Sequence, residues 1–474
     1  MTIELSEWMH QALLIGLYYL SLKHILIIIC DGGSCIMIEI GLLQRSDRML
    51  GIQFEKLFGR FDYNVTFNSE GLTILTGPNG YGKTTILKSI EAIGKEFIGI
   101  MFFLKLDFRK IIVNFENDRN IVIEKVGNRL IINDILIPIE EKDFQNSFED
   151  LMERRPYFSK IDENTWFDRR RGARITLNDY IIDLCTRGMR NAESDVNVKQ
   201  FSDELINLLK KMKQLVGKIC FIKEQRLIRE NKNRYDEQEV VNVIEELPTR
   251  FRELMRNIQQ DYSIVANKLD STYPNRLFET EEGIAESDYK VKMQEMASKF
   301  EMLSKYDLST MQEPVNFIFK EEHAKALKVY FEDFEVKYQV YEDFINKADL
   351  YTDIINHRLS FKTMKISKEF GISIIDENSK HLKLTQLSSG EKQEIVLFYD
   401  LIFETKKDIL LLIDEPEISL HITWQKKFMD DLLRIIDYKG FNVIVATHSP
   451  QIINNHWDRQ VDLGELYGKQ LNKR

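Results

Sequence analysis

Gly77-Pro78-Asn79-Gly80-Tyr81-Gly82-Lys83-Thr84-Thr85 fits the pattern G-x-x-x-x-G-K-[ST]. The apolar run Leu72-Thr73-Ile74-Leu75 precedes it, and Ile86, Leu87, Ile90 and Ile93 follow at helical spacing. The order is therefore buried strand, glycine turn, helix. Glycines let a backbone wrap closely around phosphate groups, and the free N–H groups of a helix N-terminus supply positive potential. Lys83 is expected to reach the β- and γ-phosphates of a nucleotide, and the Thr84 hydroxyl to ligate Mg²⁺. Gly77, Asn79, Gly80, Gly82 and Thr85 complete the expected nucleotide contacts. An accidental glycine turn would give no reason for both flanks to match.

Three later segments extend this reading. Ile409-Leu410-Leu411-Leu412-Ile413-Asp414-Glu415-Pro416 is an apolar run ending in two carboxylates. In a parallel sheet that places both at the carboxyl edge, where ligands bind. Asp414 is expected to hold the metal, and Glu415 to orient and polarise the attacking water as the general base. Leu387-Ser388-Ser389-Gly390-Glu391-Lys392-Gln393 opens a helix. Its serines can cap that helix and, with Gly390, form an anion site, and the two roles are compatible. Val443-Ile444-Val445-Ala446-Thr447-His448-Ser449-Pro450 ends a strand and brings His448 to the same sheet edge, within reach of a γ-phosphate.

Outward from these motifs, Leu50, Ile52 and Phe54 alternate, as do Phe61, Tyr63, Val65 and Phe67, which predicts half-buried strands. Strand-like runs recur at Lys110–Phe115, Asn120–Lys125, Arg129–Ile132, Lys218–Ile222, Phe361–Ile366, Ile372–Ile375 and Leu382–Leu384. Residues 140–215 read as mixed and mostly helical, and 236–357 as an antiparallel helical insertion with little glycine. From 391 onward, helix, strand, helix and strand alternate, which implies a parallel sheet with helices on its faces. The expected fold is α/β, with a mixed or parallel sheet core, an antiparallel β-subdomain and a helical insertion. The expected organisation is an extension at 1–48, a first lobe at 49–235, the insertion at 236–360 and a second lobe at 361–474. No repeat and no Gly-, Ser- or Pro-rich linker interrupts it.

The chain has 474 residues, with 65 Lys+Arg against 75 Asp+Glu, a net charge of −10. That balance disfavours broad electrostatic binding to nucleic acid or anionic membrane. The cluster Arg169-Arg170-Arg171 with Arg174 remains open to two readings, a site for nucleic acid or a partner's acidic face, or a solvated loop. The four cysteines form no CxxC pair, which fits a reducing cytoplasm. Ala12–Cys30 is nearly all apolar but carries Lys23 and His24, so an anchor competes with a poorly ordered or non-native extension, and Met49 is a sensible start.

The four motifs in this order resemble those of ABC-type P-loop ATPases of the SMC/Rad50/RecF-like branch. Gly77–Thr85 is similar to Walker A, Leu387–Gln393 to the ABC signature, Asp414-Glu415 to Walker B, and His448 to the switch histidine. Pro416–His421 resembles the D-loop, with His421 where transporters usually have Asp. Ile222–Leu227 looks like the Q-loop, which would make Gln225 a third metal-side contact. The resemblance also suggests phosphate contacts for Asn79 and Arg60. It implies ATP and Mg²⁺ as cofactors and a head-to-tail homodimer or higher oligomer, with Ser388 acting in trans. More narrowly, Phe221–Leu227, Ser263–Leu277, Leu387–Glu394 and Thr447–Asn454 with Trp457-Asp458 resemble the PtuA-like ATPases of the Septu anti-phage system and retron-linked ATPases. That implies a cytoplasmic antiviral defence component controlling a separate HNH-type, PtuB-like nuclease, with nucleic acid contacted only indirectly and no membrane. Only 26 residues follow His448, too few for the TOPRIM domain of OLD-type nucleases, so the chain itself is not expected to cut nucleic acid. Two other readings stay open, a RecF/SMC-like ATPase of DNA repair and an ATP-locked scaffold without turnover.

Overall fold

The computed structural model describes residues 24–31, 34–41, 48–137, 148–150, 152–162, 165–170, 172–176, 203–222, 228–232, 238–308 and 318–472. Its centre is a five-stranded, wholly parallel sheet. In chain order the strands and principal helices are β1 (Leu72–Thr76), α1 (Lys83–Ile93), β2 (Lys218–Ile222), α2 (Val243–Glu279), α3 (Glu286–Lys305), α4 (Ala324–Asn356), α5 (Ser389–Tyr399), β3 (Ile409–Asp414), α6 (Ile422–Lys439), β4 (Asn442–Ala446), β5 (Gln460–Asp462) and α7 (Leu463–Leu471). The sheet order is β2-β3-β4-β1-β5.

Side chains of these strands alternate between two cores. Leu411, Ile413, Val443 and Val445 face one with α5 and α6, while Leu412, Ile444 and Ala446 face the other with α1. Each such Leu, Ile or Val contributes roughly 1.5–3 kcal/mol on burial. Both faces being covered explains why β1 and β3 read as unbroken apolar runs. The second core continues into an antiparallel six-stranded sheet formed by Phe61–Thr66, Met49–Leu57, Lys110–Phe115, Asn120–Val126, Arg129–Ile132 and Ile135–Leu136. The fold is α/β, with the parallel core, antiparallel subdomain and helical insertion that the sequence predicts.

Helices α2, α3 and α4 make up the insertion, and α2 and α4 pack on the antiparallel strands Lys362–Ser367 and Gly371–Asp376. Gly371 sits at φ +68°, and a Cβ there would lie 2.0 Å from the Pro248 carbonyl oxygen, so that approach needs glycine. A buried ion cluster ties the insertion to the core. Arg358, just after α4, lies 3.4 Å from Glu394 of α5 and 2.5 Å from Asp431 of α6, with its guanidinium 4.6 Å from the Phe398 ring centre. Burial, opposed by Arg358 and reinforced by Asp431, pushes the Glu394 carboxyl up to about 8.

Within 140–215, the described residues are mixed, with helix at 148–150, 152–153 and Asp203–Val216 and three short antiparallel strands, Phe158–Asp162, Thr165–Asp168 and Ala173–Thr176. Short strands carrying exposed charge imitate helical spacing, and here Trp166 and Asp168 alternate inward. Arg170 stacks on Tyr157 at 3.3 Å and Arg174 pairs in register with Phe167, so these two members of the arginine cluster belong to a β-meander. Additional strands at Ile228–Lys232 and Gln238–Asn242 form a hairpin before α2. In the extension, His24–Asp31 and Ser34–Gly41 pair as antiparallel strands. Among the described residues, no helix is long and apolar enough to cross a membrane.

Candidate functional site

The loop 77–82 joins the end of β1 to the start of α1. Gly77, Gly80 and Gly82 take φ of +139°, +81° and +92°, conformations that L side chains rarely adopt. A Cβ on Gly77 would also lie 3.2 Å from Leu463 Cβ, so the loop is pressed against α7. The same end is fastened by polar contacts. Asp462 caps α7 by accepting from Gly464 N at 2.7 Å and Glu465 N at 3.1 Å, and Thr76 donates to its other oxygen at 3.3 Å. Gln470 accepts from Asp62 N at 3.0 Å and donates to the Arg60 carbonyl at 3.2 Å. Tyr81 packs between Phe61 and Tyr467, with centroid distances of 5.3 and 6.0 Å.

Lys83 is only 6% exposed, and its Nζ donates to the Gly77 carbonyl at 2.8 Å. The ammonium thus lies folded over the loop's own carbonyls, in the concavity where a phosphate would be received. The Thr84 hydroxyl donates to Asp414 Oδ1 at 3.2 Å, across 330 residues of sequence. Burial pushes the Asp414 carboxyl above its ordinary range, the Thr84 hydrogen bond opposes this, and the neighbouring Glu415 charge adds to it. A hydroxyl beside a half-buried carboxylate is the hard-oxygen donor set that Mg²⁺ takes when phosphate oxygens and water complete its shell. Among the described residues, no group of three His, Cys, Asp or Glu could hold a metal by itself. Thr84 and Asp414 therefore suit a metal that arrives with a phosphate ligand. Bound there, Mg²⁺ would neutralise charge on the β- and γ-oxygens.

Glu415 adopts the left-handed conformation, φ +44° and ψ +58°, immediately before Pro416. For a non-glycine residue this costs about 1–3 kcal/mol and belongs to strained, over-determined sites. Its N–H donates to Ala446 O at 2.9 Å, which anchors the turn to β4. His448 stands on the next strand end, its Nδ1 3.8 Å from Glu415 Oε1. A carboxylate and an imidazole thus meet beside the Thr84–Asp414 pair, an arrangement able to position a water and meet a phosphate oxygen.

Ser388 caps α5 in a capping box. Its Oγ accepts from Glu391 N at 3.3 Å, and Glu391 Oε2 accepts from Ser388 N at 2.9 Å. Burial pushes the Glu391 carboxyl up, but the Lys362 ammonium and the Ser388 donors outweigh it and hold it below its ordinary value. Gly390 lies against Trp424, 3.4 Å from a notional Cβ, so the α5 tip and the α6 tip are neighbours. Within one chain, the hydrogen bonds of Ser388 go to Glu391 and Lys392, which leaves this tip outside the Lys83–Asp414–His448 group. Ser389 and Gly390 are the first residues of α5 itself. His421 caps α6, its ring accepting from Thr423 N at 3.5 Å. Asn79 is exposed on the loop and Thr85 lies inside α1. The Arg60 guanidinium rests 4.9 Å from the Phe61 ring centre. Gln225 falls outside the described residues.

Sequence reasoning passed over Glu417. It is 8% exposed, and its Oε1 accepts from the Thr447 hydroxyl at 2.7 Å and His448 N at 2.9 Å. The available signal was an acidic residue in a mostly apolar stretch directly after the Asp-Glu-Pro turn.

The family described as AAA ATPase domain matches residues 58–453. The UvrABC system protein A of Aquifex aeolicus (strain VF5) is 34% identical over 119 residues, which is 24% of this chain and 12% of that protein. The Retron Ec83 probable ATPase of Escherichia coli is 30% identical over 103 residues, 19% of each chain. The chain thus spans under a fifth of the length of these relatives. Among solved structures, the Smc head domain with an extended coiled coil bound to the C-terminal domain of ScpA, from Pyrococcus furiosus, aligns at 13% identity and a TM-score of 0.33. That alignment covers 86% of this chain and 91% of the other.

Proposed function

From the premise that the chain belongs to the AAA ATPase domain family, we propose that it binds and hydrolyses Mg·ATP as part of a bacterial antiviral defence system. In this reading it resembles the Septu PtuA ATPases and acts as a nucleotide-controlled regulator of a partner HNH-type nuclease. The observation that carries the ATPase half is the Thr84–Asp414 hydrogen bond, 3.2 Å, beside the strained Glu415 and the His448 ring. Support for the defence half comes from the segment shared with the Retron Ec83 probable ATPase. Lys83 would leave the Gly77 carbonyl to meet phosphate, Glu415 would orient water, and Ser388 would complete the site of a second copy. Dimerisation follows from one glycine loop and one serine-bearing helix tip per chain.

Two experiments test it. Purified wild type should hydrolyse ATP with Mg²⁺, and Glu415→Gln should be slower by about 10²-fold or more. Equal turnover in the two would remove Glu415 from its role. In cells carrying the locus, Lys83→Ala should abolish protection against phage, and undiminished protection would refute the defence assignment. Salt-sensitive DNA binding by the chain alone would favour the DNA-repair reading instead.

A further inference from the structure

Resting on the reading of His448 as a nucleotide-facing residue, we propose that Glu417 is the positioning residue that sets this histidine. The two lie 31 residues apart, on the short turn after Pro416 and at the end of β4. Glu417 Oε1 accepts from the Thr447 hydroxyl at 2.7 Å and from the His448 backbone N–H at 2.9 Å, and it lies 3.1 Å from His448 Nδ1. Three groups of the histidine loop thus converge on one carboxylate oxygen. The other oxygen, Oε2, is buried with no hydrogen-bond partner among the described residues. A buried carboxylate with half its capacity unused is costly, so its retention calls for a specific purpose. The surrounding polar contacts point the same way. Gln425 donates to the Glu417 carbonyl at 3.3 Å and accepts from the Ser449 hydroxyl at 2.8 Å, while Ser449 N donates to Thr447 Oγ1 at 3.0 Å. The acidic turn and the histidine loop are therefore one hydrogen-bonded unit. A carboxylate oxygen beside Nδ1 places the ring hydrogen on that nitrogen and leaves Nε2 for the phosphate or its attacking water. Glu415, 3.8 Å from the same nitrogen, is the weaker neighbour.

The test uses the full chain and three variants, Glu417→Gln, Glu417→Ala and His448→Ala, with thermal melting to show that each folds. Glu417→Gln keeps a carbonyl oxygen for Thr447 and the His448 amide but loses the charge opposite Nδ1. Its kcat should fall about tenfold or more while KM for ATP stays within about threefold. The double variant Glu417→Gln/His448→Ala should be no slower than His448→Ala alone, because both changes remove one unit. Wild-type kcat in Glu417→Gln, or losses that multiply in the double variant, would overturn the proposal. A second readout is independent of turnover. In nitrogen-15 spectra of histidine-labelled protein, the ring signals lost in His448→Ala should shift in Glu417→Gln, and unmoved signals would overturn the anchoring. If wild type hydrolyses no ATP, the turnover reading falls by itself and the spectra still decide the role of Glu417.

Discussion

Replacing Arg358 with Met tests how the insertion is locked to the ATPase core. The Arg358 side chain is 2% exposed and faces Glu394 at 3.4 Å and Asp431 at 2.5 Å. Glu394, its carboxyl raised to about 8, holds its proton near neutral pH, so the charged pair is Arg358–Asp431, whose gross attraction at an effective dielectric of about 20 is about 7 kcal/mol. Desolvating these two ions takes back several kcal/mol each, so the cluster as a whole is close to neutral against an apolar core. Removing only the cation is different, because Asp431 then stays buried and charged, with Arg434 Nη1 at 3.5 Å as its remaining partner. The expected loss for Arg358→Met is about 3–5 kcal/mol. Urea unfolding followed by tryptophan fluorescence would measure it. The triple replacement Arg358→Met/Glu394→Leu/Asp431→Leu should recover most of the loss. A single variant within about 1 kcal/mol of wild type, or a triple variant no better than the single, would refute the reasoning.

Other outcomes follow from the same coordinates. Because the folded Glu394 carboxyl is raised to about 8, the native chain holds a proton that the unfolded chain releases; its contribution is full at acidic pH and is lost as pH rises toward 8. Melting temperature should therefore fall over that window in wild type and less steeply in Glu394→Gln; parallel slopes would count against it. Thr84→Ala removes the hydroxyl that faces Asp414 and should cut Mg²⁺-dependent ATP turnover by about 10²-fold or more, with nucleotide affinity in EDTA unchanged when read by fluorescence. Asp462→Ala removes the cap of α7 and should cost about 1 kcal/mol in thermal unfolding while weakening ATP binding through the loosened glycine loop. Affinity equal to wild type would separate α7 from the nucleotide site.

What the sequence disclosed was local. The loop at 77–85, the apolar run of β3 and the capped start of α5 each carry their physics in consecutive residues, so strand, turn and cap could be read directly. Glu417 could not be, because its meaning lies in a hydrogen bond to Thr447, 30 residues later and on a different strand. The strand β5 escaped notice because Gln460-Val461-Asp462 is too short to display a period. The strands between 158 and 176 are hard to place within a segment that reads as mixed, because each spans only four or five residues. Arg358 looked like any arginine at a helix end, and its burial depends on two helices that arrive later in the chain.

The edge strand and helix at 460–471 brace a phosphate loop nearly four hundred positions upstream. A polypeptide emerging from the ribosome displays Lys83 early, and the brace appears nearly four hundred residues later. During synthesis the loop therefore exists for that whole interval without the strand and helix that press against it.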